Sequence, residues 1–129
     1  MHVSLERYFQ ALRAMIAAAA NTATLDLTFD IRSPSIGFVH GDIHFADGSL
    51  LHFRELLDIQ KVAPRLMYVY HYQRADGTFV FRYDNAKHFS DLSTFPHHKH
   101  DGDEEYVIAH AAPTFADVLG EIEALIQPG

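Results

Sequence analysis

The chain has 129 residues, 48% apolar and 12% aromatic, a composition that predicts one folded domain over residues 1–129 and excludes a disordered protein. It contains no cysteine, which excludes disulfides, zinc–thiolate sites and thiol nucleophiles. Its formal charge of −7 excludes binding of nucleic acid over the whole surface, but leaves room for a local phosphate-binding patch.

The first predicted element is a helix from about Leu5 to about Ala20. Ser4 is its N-cap, Glu6 lies in its first turn, and Leu5, Phe9, Leu12 and Ile16 form its buried stripe, which Tyr8 and Met15 widen. Asn21 stops it. The run Ala17 to Ala20 lies in a segment too polar and too short for a membrane span, and it lacks the apolar stretch of a signal peptide, so a cytoplasmic protein is expected.

A meander of strands follows. Thr24–Ile31 alternates, with Leu25, Leu27, Phe29 and Ile31 inward. After a turn at Arg32–Ser35, the segment Ile36–Phe45 places Val39, Gly41, Ile43 and Phe45 on one face and Phe38, His40, Asp42 and His44 on the other. Ala46-Asp47-Gly48 makes a tight hairpin turn, because Asp-Gly readily supplies positive φ. The return strand, Ser49–Leu57, turns Leu51, Phe53 and Glu55 inward. Strands at about Leu66–Gln73 and Thr78–Asp84 flank a second such turn, Ala75-Asp76-Gly77. An irregular loop is expected over Asn85–Asp103, pinned by Phe89, Leu92 and Phe95. A short strand at Glu105–His110 and a helix at about Phe115–Gln127 close the chain. That helix is capped by Thr114 and Asp117 and ended by Pro128-Gly129. The predicted fold is α+β: an N-terminal helix, a five- or six-stranded antiparallel sheet with two Asp-Gly hairpins, and a C-terminal helix packed on the sheet.

Candidate chemistry gathers in one stretch. Four of the ten histidines fall between His88 and His100, and Arg82–His100 carries three Lys/Arg against two acidic residues on an otherwise acidic chain. His98 and His100 share one side of an extended segment, with His97 and Lys99 on the other. Such an imidazole pair serves proton transfer or phosphate binding, or chelates a transition metal with His88 or Glu55 as a third ligand; a solvated loop without a site is the alternative. Lys99 would repel a cation, so the leading reading needs no metal and no cofactor. Arg82 suits bidentate recognition of phosphate or pairs with a carboxylate such as Asp84. Asp84-Asn85 reads as a turn or as part of a site. Tyr68, Tyr70 and Tyr72, beside Phe79, Phe81 and Tyr83, form a packing ladder that could also stack bases. Glu55, inward, needs a partner, with Arg82 or a loop histidine expected, and is a candidate general base or a structural ion pair.

The order YVYHYQRADGTFVFRYDNAKHF, followed by TFPHHKH, resembles the TumE family, toxins of bacterial and archaeal toxin–antitoxin systems. The resemblance runs through most of the chain, including Glu55 and the C-terminal helix. Its specific part is Phe81-Arg82-Tyr83-Asp84-Asn85-Ala86, then Thr94-Phe95-Pro96-His97-His98-Lys99-His100. Where the family continues Asn-Ala-Pro-His-His, this chain has Asn85-Ala86-Lys87-His88-Phe89. The resemblance implies a small cytoplasmic toxin neutralised by a DNA-binding antitoxin protein from the adjacent gene.

The leading expectation is a metal-independent endoribonuclease. His98 with His100 or His88 would act as base and acid, Arg82 and Lys99 would stabilise the phosphate, and Glu55 is a further catalytic candidate. Tyr83, Asn85, Asp84, His97 and Tyr70 would bind substrate. The alternatives are a non-enzymatic module that binds protein or nucleic acid, and a metal-dependent hydrolase built on the His cluster. A homodimer through an edge strand or the helices is compatible with each.

Overall fold

Seven strands follow one another across a single antiparallel sheet in the computed structural model, which describes residues 4–126. Helix α1 (Leu5–Ala18) precedes β1 (Thr22–Ile31), β2 (Ile36–Phe45), β3 (Leu50–Asp58), β4 (Arg65–Gln73), β5 (Phe79–Asp84), β6 (His98–Asp101) and β7 (Val107–Ala109), and α2 (Phe115–Leu125) closes the fold. The expected α+β order therefore holds, with seven strands where five or six were predicted. The residues at the end of the anticipated loop, His98–Asp101, pair with β5 on one side and β7 on the other. Four residues carry too short a pattern for a strand to be read from periodicity.

Local signals account for the ends of the elements. Ser4 Oγ accepts the Arg7 N–H at 3.2 Å, and Thr114 and Asp117 exchange reciprocal 3.0 Å bonds as a capping box. Helix α1 stops two residues before the predicted end, and Asn21 takes φ 70° in the turn into β1. Pro128-Gly129 and Gln127 lie outside the described residues. Both Asp-Gly hairpins form alike. Gly48 and Gly77 have φ of 86° and 87°, while Asp47 and Asp76 each accept the N–H two residues on at 2.9 Å.

Both helices pack on the same face of the sheet. Phe9 of α1 stacks on Phe29 of β1 at 4.3 Å, and Phe115 of α2 packs on Phe53 of β3 at 4.9 Å. The core runs through Val39, Ile43, Leu51, Phe53, Leu57, Tyr68, Tyr70, Tyr72 and Phe81. Two residues expected inward depart from this: Leu25 and Ile31 point toward the helix side yet are 42% and 55% exposed, because β1 is the sheet edge and α1 covers only its Leu27 and Phe29. Where β1 meets β2, a Cβ on Gly41 would lie 2.4 Å from Leu27 Cδ2 and 2.8 Å from the Asp26 carbonyl. Only hydrogen fits there.

Register places polar residues in rows on the opposite, helix-free face. Asp42, His52, His71, Arg82 and His100 are successive cross-strand partners from β2 to β6, and His40, Arg54, Val69, Asp84 and His98 form the next row. Among the described residues, no helix is long and apolar enough to cross a membrane. Gly41→Ala is expected to destabilise the fold by about 1–3 kcal/mol through overpacking at β1–β2. Urea unfolding followed by circular dichroism checks this, and an unchanged midpoint would refute the tight approach.

Candidate functional site

A cleft of about 670 Å³ opens on the helix-free face where β4, β5 and β6 meet the loop over residues 85–97. Its lining includes Arg54, Arg82, Asp84, Lys87, His88, His98 and His100. Three permanent cations thus face one carboxylate on a chain whose net charge is −7. Such a cleft favours an anionic ligand.

Asp84, the last residue of β5, sits at the centre and is 6% exposed. Its Oδ1 accepts the Ala86 N–H at 3.0 Å and lies 2.9 Å from His98 Nε2. Its Oδ2 accepts Arg82 Nε–H at 3.2 Å and lies 3.5 Å from His100 Nε2. Each imidazole is held from behind. His98 Nδ1 donates to the Pro96 carbonyl at 3.0 Å, and His100 Nδ1 donates to the Glu104 carbonyl at 2.7 Å. A carbonyl only accepts, so both Nδ1 atoms carry a proton and both Nε2 atoms are turned toward Asp84. The neutral Nε2 of His100 then accepts from Arg82 Nη2 at 3.2 Å. The Phe89 ring meets His98 and His100 edge to face, with centroids at 4.8 and 6.0 Å.

The loop that carries Phe89 is ordered by consecutive turns. Leu92 N–H bonds the Phe89 carbonyl, Phe95 N–H the Leu92 carbonyl and His97 N–H the Thr94 carbonyl, and Thr94 Oγ1 ties the loop to His97 and His110. His97 stacks on Tyr68 and hydrogen-bonds its hydroxyl at 2.9 Å. Of the three residues expected to pin the loop, Phe89 and Leu92 are half-buried, while Phe95 is 41% exposed.

The sheet separates Lys99, Tyr83, Tyr70 and Glu55 from this cleft, whereas Asn85 and His88 line it. Lys99 lies on the helix side, where Nζ bonds Glu121 of α2 at 2.9 Å. Burial works to lower its pKa, but the bonds and charge of Glu121 and Tyr83 outweigh it and hold the ammonium above its ordinary range. Tyr83 is on that side too. It donates to Glu121 at 2.6 Å, and burial together with that bond pushes its pKa up to about 12. Strand alternation therefore turns Lys99 and Tyr83 away from Arg82, His98 and His100. Asn85 extends the β4–β5 pairing with its side chain, accepting from the Tyr68 N–H and donating to the Leu66 carbonyl at 3.1 Å. His88 is exposed on the rim.

Glu55 has other partners than the expected Arg82 or loop histidine. It is 0% exposed beneath the helices, where Tyr8 donates to Oε1 at 2.6 Å and Tyr70 donates to Oε2. Arg65 Nη1 completes the network by donating to the Tyr70 hydroxyl at 2.8 Å. Burial and the Glu55 charge raise both phenols well above their ordinary value, so they remain donors. The carboxylate is held by phenols that the helix brings to it, a pairing no strand pattern contains.

Arg54 and His52 were missed as site neighbours, whereas His71 shares the Arg82 face, as simple register of the hairpin predicts. Arg54 lines the cleft, and His71 lies in register between His52 and Arg82. Their signal was present: each has the strand parity opposite to the inward Phe53, Glu55, Tyr70 and Tyr72, and the two Asp-Gly turns set the register that aligns them.

This fold and cleft describe a helix-backed antiparallel meander with a His/Arg pocket on its open face. The chain belongs to the TumE toxin family, whose model, described as Toxin TumE, matches residues 12–126 and so covers the whole cleft. Comparison with curated proteins and with solved structures returned no match. As a toxin-family member, it is implied to have an antitoxin partner.

Two outcomes test the geometry. Removing the carboxylate in Glu55→Ala leaves two buried phenols without their acceptor and is expected to cost about 2–5 kcal/mol in urea unfolding. A fold as stable as the parent would show that the phenols do not depend on it. His97 has its pKa lowered from 6.5 by burial first, then by Arg65 and His98, so its imidazole titration by NMR is expected to have a midpoint below 6.5. The unfolded chain binds this proton more readily, so the His97 contribution to stability is complete above pH 6.5 and is lost as pH falls through the lowered folded value. A midpoint at or above 6.5 would show His97 detached from Tyr68.

Proposed function

We propose that this toxin-family protein is an endoribonuclease that cleaves RNA in the cleft formed by Arg82, His98, His100 and Asp84. The observation that carries the reading is one cleft lined by three cations, in which two Nε2 atoms and the Arg82 guanidinium meet one buried carboxylate. Cleavage of RNA needs a base for the 2′-hydroxyl, an acid for the departing 5′-oxygen, and positive charge for the phosphate.

A phosphate entering the cleft draws the Arg82 guanidinium toward itself and uncovers the His100 Nε2 lone pair. His100 takes the 2′-hydroxyl proton, the 2′-oxygen bonds to phosphorus, and the bond to the 5′-oxygen breaks. His88 on the rim supplies the proton to that oxygen, leaving a 2′,3′-cyclic phosphate and a 5′-hydroxyl. Asp84 and His98 hold the register of the strands behind these groups. Arg82 and Arg54 meet the phosphate charge, so the step as written uses no metal ion. Lys99, which the sequence pattern suggested for that charge, reaches Glu121 instead. The same reading has the protein act in the cytoplasm and be neutralised by a DNA-binding antitoxin from the adjacent gene.

Host growth and extracted RNA test the proposal. Expression of the intact protein is expected to arrest growth and fragment RNA. Purified His100→Ala and Arg82→Ala, matched for fold by circular dichroism, are each expected to lose cleavage by about 10²-fold or more. Equal cleavage by all three proteins would remove the cleft as the catalytic site. Arrest without RNA cleavage would favour a toxin that binds rather than cuts.

A further inference from the structure

We infer that Asp84, His98 and His100 form a binding site for a zinc-class divalent ion, and that this ion switches off the chemistry proposed for the same cleft. One ligand-capable atom from each residue lies within 4.8 Å of the others, and all three side chains are buried. A tetrahedral ion with bonds of about 2.1 Å spaces its ligands about 3.4 Å apart. Each Nε2 lies within about 0.5 Å of that spacing from an Asp84 oxygen, His98 at 2.9 Å from Oδ1 and His100 at 3.5 Å from Oδ2, so small side-chain shifts bring the three ligands onto one ion.

The surroundings fit a cation as well. Both Nδ1 protons are committed to backbone carbonyls, the arrangement that orients metal-binding imidazoles and aims Nε2 at the ion. With its Nδ1 proton fixed, His98 faces a carboxylate at 2.9 Å through Nε2. That contact closes either with a second ring proton or with a cation shared between the two groups. Arg82 already supplies positive charge here, donating to both Asp84 Oδ2 and His100 Nε2. It is 32% exposed on its side chain and has the open cleft to swing into. Two nitrogens and a carboxylate suit Zn²⁺, Co²⁺ or Ni²⁺, whereas Mg²⁺ and Ca²⁺ take oxygen ligands. A fourth position toward the cleft is left for water.

The regulatory half of this inference rests on the nuclease reading: an ion bound to His100 Nε2 occupies the lone pair that would accept the 2′-hydroxyl proton. Ion and catalysis then exclude each other.

The test titrates ZnSO₄ into EDTA-dialysed full-length protein, read by calorimetry and by imidazole ¹⁵N NMR. One equivalent is expected to shift the Nε2 signals of His98 and His100. His98→Asn and His100→Asn, verified as folded, are each expected to weaken binding by at least about tenfold. Arg82→Ala removes the competing cation and is expected to bind as tightly or more tightly. An absence of zinc-dependent shifts at these two histidines, or binding unaffected by both Asn variants, overturns the site. RNA cleavage is followed in parallel. Loss of cleavage at the zinc concentration that fills the site supports the switch, and stimulation by zinc overturns it. Binding with no cleavage, in zinc or in EDTA, upholds the metal site and overturns the nuclease reading and the switch that rests on it.

Discussion

The buried charge of Asp84 is the constraint on which the open face depends. A carboxylate this enclosed is strongly unfavourable unless hydrogen-bonded and paired, and each group that satisfies it comes from a different place. Ala86 contributes a backbone N–H from the turn after β5, Arg82 a guanidinium from two residues upstream, and His98 an imidazole from the neighbouring strand. Meeting these demands brings β6 against β5 and folds the loop over residues 85–97 back across the cleft. The carbonyls of Pro96 and Glu104 then set the tautomers of His98 and His100.

The sheet divides two kinds of polar chemistry. Beneath the helices, Glu55 is surrounded by Tyr8 and Tyr70, while Lys99 and Tyr83 share Glu121 of α2. These groups are matched to one another and tie the helices to the sheet. On the opposite face, Arg54 is exposed, Arg82 is partly exposed, and the His100 Nε2 lone pair is covered by the Arg82 guanidinium. Interactions of the first kind consume their donors and acceptors within the fold. Those of the second leave some for a ligand, which is the physical distinction between support and site.

The cleft also concentrates positive charge that the rest of the chain lacks. On a protein of net charge −7, an anionic ligand meets like charge over most of the surface and cations at this cleft. An antitoxin would need only to cover or compete for that place. The proposed proton transfer and the proposed metal site both depend on His100 Nε2, so the two uses exclude each other.

Much of this was legible in the residues taken alone. Period-two alternation with two Asp-Gly turns specified the meander and its register, because hairpin turns join strands that are neighbours in sequence. The shared side of His98 and His100, and the opposite side taken by Lys99, followed from the same alternation. The blocks Phe81–Ala86 and Thr94–His100 carried the resemblance to the TumE family that the match over residues 12–126 establishes. What alternation could not decide was which groups meet across the fold. The strand His98–Asp101 exists through its neighbours β5 and β7, so its four residues read as loop. Asp84 as the partner of both histidines, and Tyr8 with Tyr70 as the partners of Glu55, were decided only by tertiary packing. Local pattern sets the face to which a side chain points, whereas the satisfaction of a buried charge depends on residues that the folded backbone brings from 14 to 47 positions away, as for Asp84 with His98 and Glu55 with Tyr8.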